Sequence, residues 1–399
     1  MALGKEGVMR DGSMRLGRRS VVGGMAAAGL ARAARAAPGA PLALTVYDVA
    51  GALTLMQRGF EDFRAANPAR VSRITYARAP APELAGKLRA QQGAGRSDID
   101  LVLSGSDGLA AGLELGLWER LLPGHAAALP DLAAILEPAA LNLTRAQGQG
   151  YAVALCYYPS GPLLECLPAR VPELPATAEA LLDWAKAHPG RFMYARPDNS
   201  GPGRTFMMGL PYVLGDKDPA DPVAGWDKTW AYLRELGRTI EYYPAGTSAT
   251  MKELGEGSRD IIASTTGWDI NPRALGIVPK EAEVGTLKGF HWISDADYMC
   301  VPKGLPPERL DLVLELMAFL LQPKMQAYAY DEGFLYPGPA VRGVPLAMAP
   351  QRSQDVIAEF GRPGYAALIA GNPIELPLRP DRLVAAFRKW DELVGKAAK

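Results

Sequence analysis

The chain has 399 residues, of which 48% are apolar and 22% charged, proportions typical of a globular protein rather than a disordered one. This length exceeds what one hydrophobic core usually serves, so we expect two lobes. Lys and Arg together number 43 and Asp and Glu number 43, so the formal net charge is zero. No general field would draw the protein to nucleic acid or to an anionic membrane.

The first residues have the pattern of an export signal. Arg18 and Arg19 precede Ser20–Leu30, an apolar run rich in Gly and Ala. The paired arginines are typical of a twin-arginine signal, and the run is shorter than the ~20 apolar residues that span a bilayer. We therefore expect a signal peptide over residues 1–37 that is removed on export to the periplasm. The chain offers two translation starts, its first methionine and Met14.

The mature chain begins with alternating strands and helices. Apolar runs predict strands at Leu42–Asp48, Val71–Tyr76 and Ile99–Leu103. Helical periodicity predicts helices at 53–65 and 82–92 between them. This order indicates a parallel sheet.

Polar residues follow two of these strands. Ligands of open α/β sheets bind at the carboxyl ends of the strands, where Asp48 and the loop Ser104–Gly108 are expected to lie. Asp48, Ser106 and Asp107 are therefore candidate ligand contacts. Asp107 fits equally well as a helix cap.

The β-rich run Gly150–Pro159 is predicted to cross into a second lobe. Tyr157 and Tyr158 lie next to each other in it, and successive strand side chains point to opposite faces. At most one of them can face a ligand, and Tyr158 is the candidate. Consecutive tyrosines also occur in ferric-iron binding proteins, but no other part of an iron site is evident.

The second lobe is predicted to open with a helix at Thr177–His188, a strand at Phe192–Ala195 and a loop over 196–203 that leads into another helix. Such a loop delivers backbone N–H groups to a helix N-terminus, which favours an anion or a polar ligand group. The candidate contacts in this segment are Asn199, Ser200, Gly203 and Arg204.

Two further strands are predicted in this lobe, at Thr239–Tyr243 and Asp260–Ser264. The second one runs into a turn that carries Trp268 and Asp269. A large aromatic ring and a carboxylate directly after a strand are typical of a binding site, although such a turn can also be packed.

The segment Gly289–Gly304 is predicted to form a strand that carries Trp292, Asp295 and Asp297. Apolar residues recur with helical spacing in the following segment, 306–322, so that helix would hold the strand from behind. Strand alternation places the two carboxylates on one face and Trp292 on the other, unless a bulge intervenes. Which carboxylate faces a ligand stays open.

The chain has no pattern typical of a metal centre or an active site. Its three cysteines and three histidines are too scattered for a zinc site. Cys156 and Cys300 are a possible disulfide pair, and free buried thiols are the alternative. A hydrolase is not supported, because no G-x-S-x-G elbow occurs and Asp295 and Asp297 are too close in sequence to flank a glycosidic bond. We predict no catalytic residue, metal or cofactor.

Several segments carry a family resemblance. The order of Val301–Gly304, an amphipathic helix, Leu321–Gln326 and Gly333–Pro337 resembles the C-terminal half of extracellular solute-binding proteins of family 1. Spermidine/putrescine-type members carry a Trp and a carboxylate ahead of the corresponding proline, similar to Trp292 and its neighbouring carboxylates. The segment 181–205 looks still closer to the thiamine-type members.

The resemblance implies an α/β protein with the two-lobed, type II periplasmic-binding-protein fold. Each lobe would be a mixed sheet flanked by helices, and crossover strands would join the lobes and let them close on a ligand. The expected N-terminal lobe comprises residues 40–156 and 297–399, and the C-terminal lobe residues 157–296, with the ligand cleft between them.

The resemblance also implies partners. A monomeric periplasmic receptor of this family passes a small molecule to the permease and ATPase of an ABC importer in the inner membrane, and it binds no nucleic acid. A chemoreceptor-coupled binding protein would use the same fold.

The candidate contacts suit a nitrogenous cation such as thiamine or a polyamine, because π faces and carboxylates both attract cations. Arg204 and the helix N-terminus after Gly203 favour an anionic group instead, such as a phosphate ester, phosphonate or carboxylate. A zwitterion would satisfy both. The aromatic and acidic candidates are Tyr158, Trp268, Trp292, Asp48, Asp269, Asp295 and Asp297.

Overall fold

The computed structural model describes residues 40–396. The predicted signal peptide, residues 1–37, lies outside the described residues. Among the residues that are described, no helix has both the length and the apolar character needed to cross a membrane.

Within this range, eleven strands form two sheets. The strands are β1 (Leu42–Asp48), β2 (Val71–Arg78), β3 (Leu101–Ser104), β4 (Ala152–Gly161), β5 (Leu163–Cys166), β6 (Phe192–Met193), β7 (Ile261–Ser264), β8 (Glu283–Gly285), β9 (Trp292–Cys300), β10 (Gly338–Pro339) and β11 (Ile374–Glu375).

Helices cover both sheets. They are α1 (Leu53–Ala66), α2 (Ala81–Gly93), α3 (Ser106–Glu114), α4 (Leu132–Ile135), α5 (Pro138–Ala146), α6 (Ala178–Ala187), α7 (Gly201–Leu214), α8 (Asp227–Gly237), α9 (Thr247–Glu256), α10 (Asn271–Ala274), α11 (Pro307–Leu320), α12 (Pro323–Gln326), α13 (Gln351–Phe360), α14 (Tyr365–Ala370) and α15 (Pro380–Trp390). Short 3-10 turns occur at Ala126–Ala128, Pro197–Asn199, Ala327–Tyr330 and Leu346–Met348, and a π-helical turn at Asp391–Gly395.

The first sheet has the strand order β10-β4-β9-β3-β1-β2, and β11 pairs with β9. β1 runs parallel to both β2 and β3, as the alternation of strands and helices in the sequence predicts. β9 lies antiparallel between β3 and β4. The sheet is therefore mixed, with the two long strands β4 and β9 at its centre.

The second sheet has the order β6-β7-β5-β8, with β5 antiparallel to both of its neighbours. A single residue, Pro162, separates β4 in the first sheet from β5 in the second. The chain therefore leaves the first sheet along β4, and it returns along β9. These two paired strands form the connection between the sheets.

Each sheet has its own hydrophobic core. The first core contains the predicted stripe of α11, including Val313, Leu314 and Met317, which are fully buried. The second core contains Trp226 and Trp230 of the segment around α8.

The C-terminal helix α15 packs in the second core through Leu383 and Trp390. From Pro41 onward the described chain forms one compact unit, so the domain boundaries given above stay a prediction.

Two local expectations require correction. Residues 239–243 do not form a strand. One backbone hydrogen bond at each end joins this segment to its neighbours, from the Gly190 N–H to the Thr239 oxygen and from the Arg196 N–H to the Pro244 oxygen, so no ladder forms. Helix α7 begins at Gly201 rather than near Arg204, because the Ser200 hydroxyl caps it by accepting the Gly203 N–H at 3.1 Å.

The three cysteines are free and buried. In the β4–β9 ladder Cys156 lies opposite Asp297, whereas Cys300 lies opposite Ala152. The two thiols therefore occupy different positions along the ladder. The structure therefore has free buried thiols and no disulfide between Cys156 and Cys300.

Candidate functional site

The turn after β7, in the part of the molecule built on the second sheet, contacts the segment 333–336, which packs on the core of the first sheet. Gly267 adopts φ of 88°, and a Cβ atom there would lie 2.4 Å from the Tyr336 nitrogen and 2.7 Å from the Gly333 oxygen. Only glycine allows so close an approach to the 333–336 backbone. The approach places Trp268 against Phe334, with ring centroids 5.2 Å apart in an edge-to-face arrangement.

A cavity of about 350 Å³ opens beside this aromatic pair. Its walls come from α1, from the segment after the 3-10 turn at Ala327–Tyr330, from α9 and from the turn after β7. Two carboxylates, Asp331 and Glu332, belong to the lining, and none of the lining residues is Lys or Arg. The lining residues are Thr54, Ser248, Met251, Trp268, Asn271, Pro272, Leu275, Ile277, Asp331, Glu332 and Phe334.

A second cavity of about 210 Å³ adjoins the first and shares Ser248, Trp268 and Phe334 with it. Its other lining residues are Ala50, Tyr158, Gly201, Pro202, Thr247, Thr265 and Leu335. We call the two cavities together the Trp268 cleft. One part of the cleft is aromatic and acidic, and the other is rich in hydroxyl groups.

Two of the predicted contacts, Tyr158 and Trp268, line this cleft. Tyr158 is 5% exposed, and its neighbour Tyr157 lines a separate cavity with Tyr330 and Pro339. The tyrosines thus point to opposite faces of β4, as strand alternation requires.

Asp269 lies in the interior, next to Trp268 but behind the cleft. Its side chain is fully buried and meets two guanidinium groups, Arg362 at 2.8 Å and Arg273 at 3.4 Å. Burial, reinforced by the Asp269 charge, raises the pKa of the nearby Glu165 carboxyl above its usual range. Asp269 therefore acts as the anion of a buried ion cluster that fixes the base of the Trp268 turn.

Replacing Asp269 with asparagine is expected to lower the free energy of unfolding by roughly 1.5–3 kcal/mol, because charged hydrogen bonds inside the protein are lost. Urea unfolding of the ligand-free protein measures this change. The matched control is Asp381→Asn, which removes an exposed ion pair with Arg379 and should change stability little. Equal stability of the Asp269 variant and the wild type would contradict a structural role.

Arg204 occupies a second buried ion cluster. It is 3% exposed and contacts Asp295 at 2.5 Å and Asp107 at 3.0 Å. The Ser106 hydroxyl donates to the other oxygen of Asp295 at 2.8 Å. Burial raises the pKa of Asp107, and the positive charge of Arg204 opposes that rise. All four predicted contacts are thus bonded to one another, where α3, α7 and β9 meet.

The remaining carboxylate and tryptophan candidates lie outside the Trp268 cleft. Asp48 accepts the N–H groups of Ala50 and Gly51, in the turn before α1, and of Leu53, the first residue of that helix. Asp297 is 2% exposed, and burial together with Asp295 raises its pKa well above the usual range. Trp292 is fully buried in a small cluster with Phe290, and its indole N–H donates to the Leu368 oxygen at 3.3 Å.

The loop before α7 connects the two sides of the molecule. The side-chain Oδ1 of Asn199 accepts the Ala81 N–H at 3.1 Å, and the Nδ2 group of the same side chain donates to the Ala245 oxygen. The Ser200 hydroxyl lies 2.8 Å from that of Thr247. A Cβ at Gly203 would lie 2.1 Å from the Ala195 oxygen, so glycine is required there for packing. Asn199 and Asp48 line a shallower cavity beside Arg78.

Sequence reasoning missed most of the cleft. The missed residues have weak individual signals, but two could have been found: Phe334 lies in the family-like segment 333–337, and Thr265 immediately follows β7. Asp331 and Glu332 directly precede that segment. The lining residues that were not predicted as contacts include Thr54, Thr247, Ser248, Thr265, Asp331, Glu332 and Phe334.

A metal site finds no support in residues 40–396. No three His, Cys, Asp or Glu side chains in that range are grouped as metal ligands. Tyr158 lies opposite Asp295 in the β4–β9 ladder, but no group of three such ligands stands beside the consecutive tyrosines in residues 40–396, as a hard cation such as ferric iron would need.

The sequence matches one known protein family. Residues 60–358 match the model of a family described as bacterial extracellular solute-binding protein. No curated protein sequence matches the chain. The family is one of solute-binding proteins and not of enzymes.

Solved structures share the fold at low sequence identity. A periplasmic thiamin binding protein superposes with a TM-score of 0.63 at 15% identity, covering 90% of this chain and 97% of its own. A spermidine/putrescine ABC transporter substrate-binding protein from Streptococcus pneumoniae gives 0.57 at 13%, covering 87% and 99%. The periplasmic binding protein AfuA from Actinobacillus pleuropneumoniae, with fructose-6-phosphate bound, gives 0.62 at 15%, covering 88% and 98%. These matches support the predicted two-lobed α/β fold.

Proposed function

Because this chain belongs to the bacterial extracellular solute-binding proteins, we propose that it captures a small nitrogenous cation in the Trp268 cleft. It works in the periplasm as a monomer, after export, and delivers its ligand to the permease and ATPase of an ABC importer. Thiamine-like and polyamine-like solutes are the classes that this cleft fits best.

The observation that carries the proposal is the pairing of aromatic faces with carboxylates in one cavity. Trp268 and Phe334 lie beside Asp331 and Glu332, and the lining holds no Lys or Arg that would repel a cation. A cation over a desolvated aromatic face gains about 2 kcal/mol. Micromolar binding needs about 8 kcal/mol in all, which one such contact, an ionic contact and buried apolar area can together supply.

The position of the cleft supports a mechanism of closure. Residues from the side of the first sheet, such as Thr54 and Phe334, face residues from the side of the second, such as Ser248 and Trp268. The paired strands β4 and β9 connect the two sides. A ligand that contacts both walls favours the closed arrangement by its difference in affinity for the two states. The permease would recognise that closed shape.

One observation favours a zwitterion as a second candidate. Helix α9 starts at Thr247 with Gly246 as its N-cap, so no side chain caps its free N–H groups. Thr247 and Ser248, at this N-terminus, line the hydroxyl-rich part of the cleft. An anionic group of a ligand would be stabilised there while its cationic group lies near Trp268.

A thermal-shift screen tests the proposal. The panel contains thiamine, thiamine phosphates, spermidine and putrescine, with phosphonates and neutral sugars as controls. A cation present at 100 times its dissociation constant is expected to stabilise the protein by about 2.7 kcal/mol and to raise its melting temperature. If a phosphonate or a sugar raises the melting temperature and no cation does, the proposed ligand class is wrong.

A further inference from the structure

We propose that Asp331 is the counter-ion that selects cationic solutes in the Trp268 cleft. This inference rests on the proposed function, and it names the residue that decides the ligand class. Asp331 was not among the contacts predicted from the sequence.

Asp331 lies beside the aromatic pair of the cleft. It directly follows the 3-10 turn Ala327–Tyr330 and lines the larger cavity together with Trp268 and Phe334. A cation that lies against the two rings would therefore meet this carboxylate at the same time. Asn271, whose side-chain amide donates to the Glu332 backbone oxygen at 3.4 Å, also lines the cavity, but it is neutral and cannot provide the charge.

Asp331 also has an unusual backbone conformation. Its φ is 39°, a left-handed value that a non-glycine residue adopts at a cost of about 1–3 kcal/mol. Glycine would adopt it freely, and a glycine, Gly333, does so two residues later. A strained residue that carries a charge into a cavity indicates that the side chain is needed there.

The two neighbouring carboxylates of the cavity differ in their charge partners. Within residues 40–396, no Lys, Arg or His forms a salt bridge with the Asp331 carboxylate. Its neighbour Glu332 is different, because Arg352 contacts that carboxylate at 3.2 Å. The cavity thus holds one carboxylate that is already compensated and one that a ligand cation would compensate.

Electrostatics agree with this geometry. Burial, followed by the charge of Glu332, raises the pKa of Asp331 to about 6. Glu332 is the neighbouring charge that contributes to this rise, Arg352 pairs with Glu332, and the other residues that line the cavity carry no ionisable side chain. A bound cation would favour the ionised form, so its binding should weaken as the pH falls through 6.

The first test uses the Asp331→Asn variant, since asparagine keeps the shape and tolerates positive φ. Calorimetric titration with spermidine, whose amines stay protonated in this range, compares pH 7.5 with pH 5. Because a carboxyl with a pKa of about 6 is about one tenth ionised at pH 5, wild-type affinity should fall about tenfold. The variant should bind at least about tenfold more weakly at pH 7.5 and show no such pH dependence.

The matched control is Glu359→Gln, which removes an exposed carboxylate that pairs with Lys280 outside the cleft. It should bind spermidine as the wild type does. A cation that binds the wild type and Asp331→Asn equally well overturns the role of Asp331 and leaves the proposed function intact. If neither spermidine nor thiamine binds the wild type, both fall.

A second readout needs no ligand. The pKa of Asp331 is higher in the folded protein than its ordinary value of 3.8, so the folded state loses stability as the pH rises from 4 to 6. Asp331→Asn should therefore melt at a higher temperature than the wild type at pH 7.5, with a smaller difference at pH 4. A variant that melts lower at pH 7.5 would show that the carboxylate stabilises the empty protein, contrary to this inference.

Discussion

Replacing Trp268 with alanine weakens cation binding by about 30-fold or more, the loss that corresponds to one cation–π contact of about 2 kcal/mol. The expectation follows from the position of the ring, which lines both cavities of the cleft and packs edge to face on Phe334. Titration of wild-type and variant protein with the best solute from the screen measures the effect.

The matched control for this prediction is Trp184→Ala. Trp184, in α6, is also partly buried, but it stacks on His188, and it is absent from the linings of both cavities of the Trp268 cleft. Its removal should reduce stability without changing affinity. Equal losses of affinity in the two variants would mean that the effect is a general loss of folded protein and not the removal of a ligand contact.

Replacing Arg204 with alanine lowers the free energy of unfolding by roughly 3–5 kcal/mol, because two buried carboxylates lose their counter-ion. The Asp107 and Asp295 side chains are 10% and 1% exposed, so water cannot replace the guanidinium. Without Arg204 the pKa of Asp107 rises further. The destabilisation should therefore be larger at pH 7.5 than at pH 4, because protonation of the Asp107 carboxyl at the lower pH removes part of the uncompensated charge.

Chemical unfolding at both pH values checks this prediction. A triple variant, Arg204→Met with Asp107→Asn and Asp295→Asn, removes all the charges together and should recover part of the lost stability. If Arg204→Ala unfolds like the wild type but no longer binds solute, Arg204 contacts the ligand and not the protein interior.

The first strands and helices of the fold were predictable because local patterns determine them. The short apolar runs before α1 and α2 are typical of strands, and the structure forms β1 and β2 there. The apolar stripe of α11 has helical spacing, and the structure forms a helix there. The strand predicted at Thr239–Tyr243 was wrong, because its local pattern does not determine the structure there. Its residues favour a strand, but among the described residues only single hydrogen bonds at its two ends join it to the segment 190–196 that contains β6, and a full ladder depends on tertiary pairing.

The Trp268 cleft was less predictable, because a carboxylate in the sequence does not show what lies against it. Asp295 pairs with Arg204, 91 residues away, and Asp269 with Arg362, 93 residues away. Both aspartates follow the expected pattern of binding residues, yet each is used inside the protein. Of the predicted contacts, Tyr158 and Trp268 do line the cleft: the first was chosen by strand alternation in β4, the second as a large ring directly after a strand.

Asp331 shows the converse. Its sequence context, a Tyr-Asp-Glu-Gly turn, is typical of an ordinary surface loop. Its proposed role depends on a left-handed backbone and on the absence of a cationic partner among the described residues, and neither property can be read from residue types.

The most direct test is a crystal structure of the protein with the solute that gives the largest thermal shift. We predict that a cationic nitrogen lies against the rings of Trp268 and Phe334, within reach of the Asp331 carboxylate, and that the ion cluster of Arg204 remains intact. A solute bound elsewhere, or one whose anionic group displaces Asp107 or Asp295 from Arg204, would contradict the proposed site.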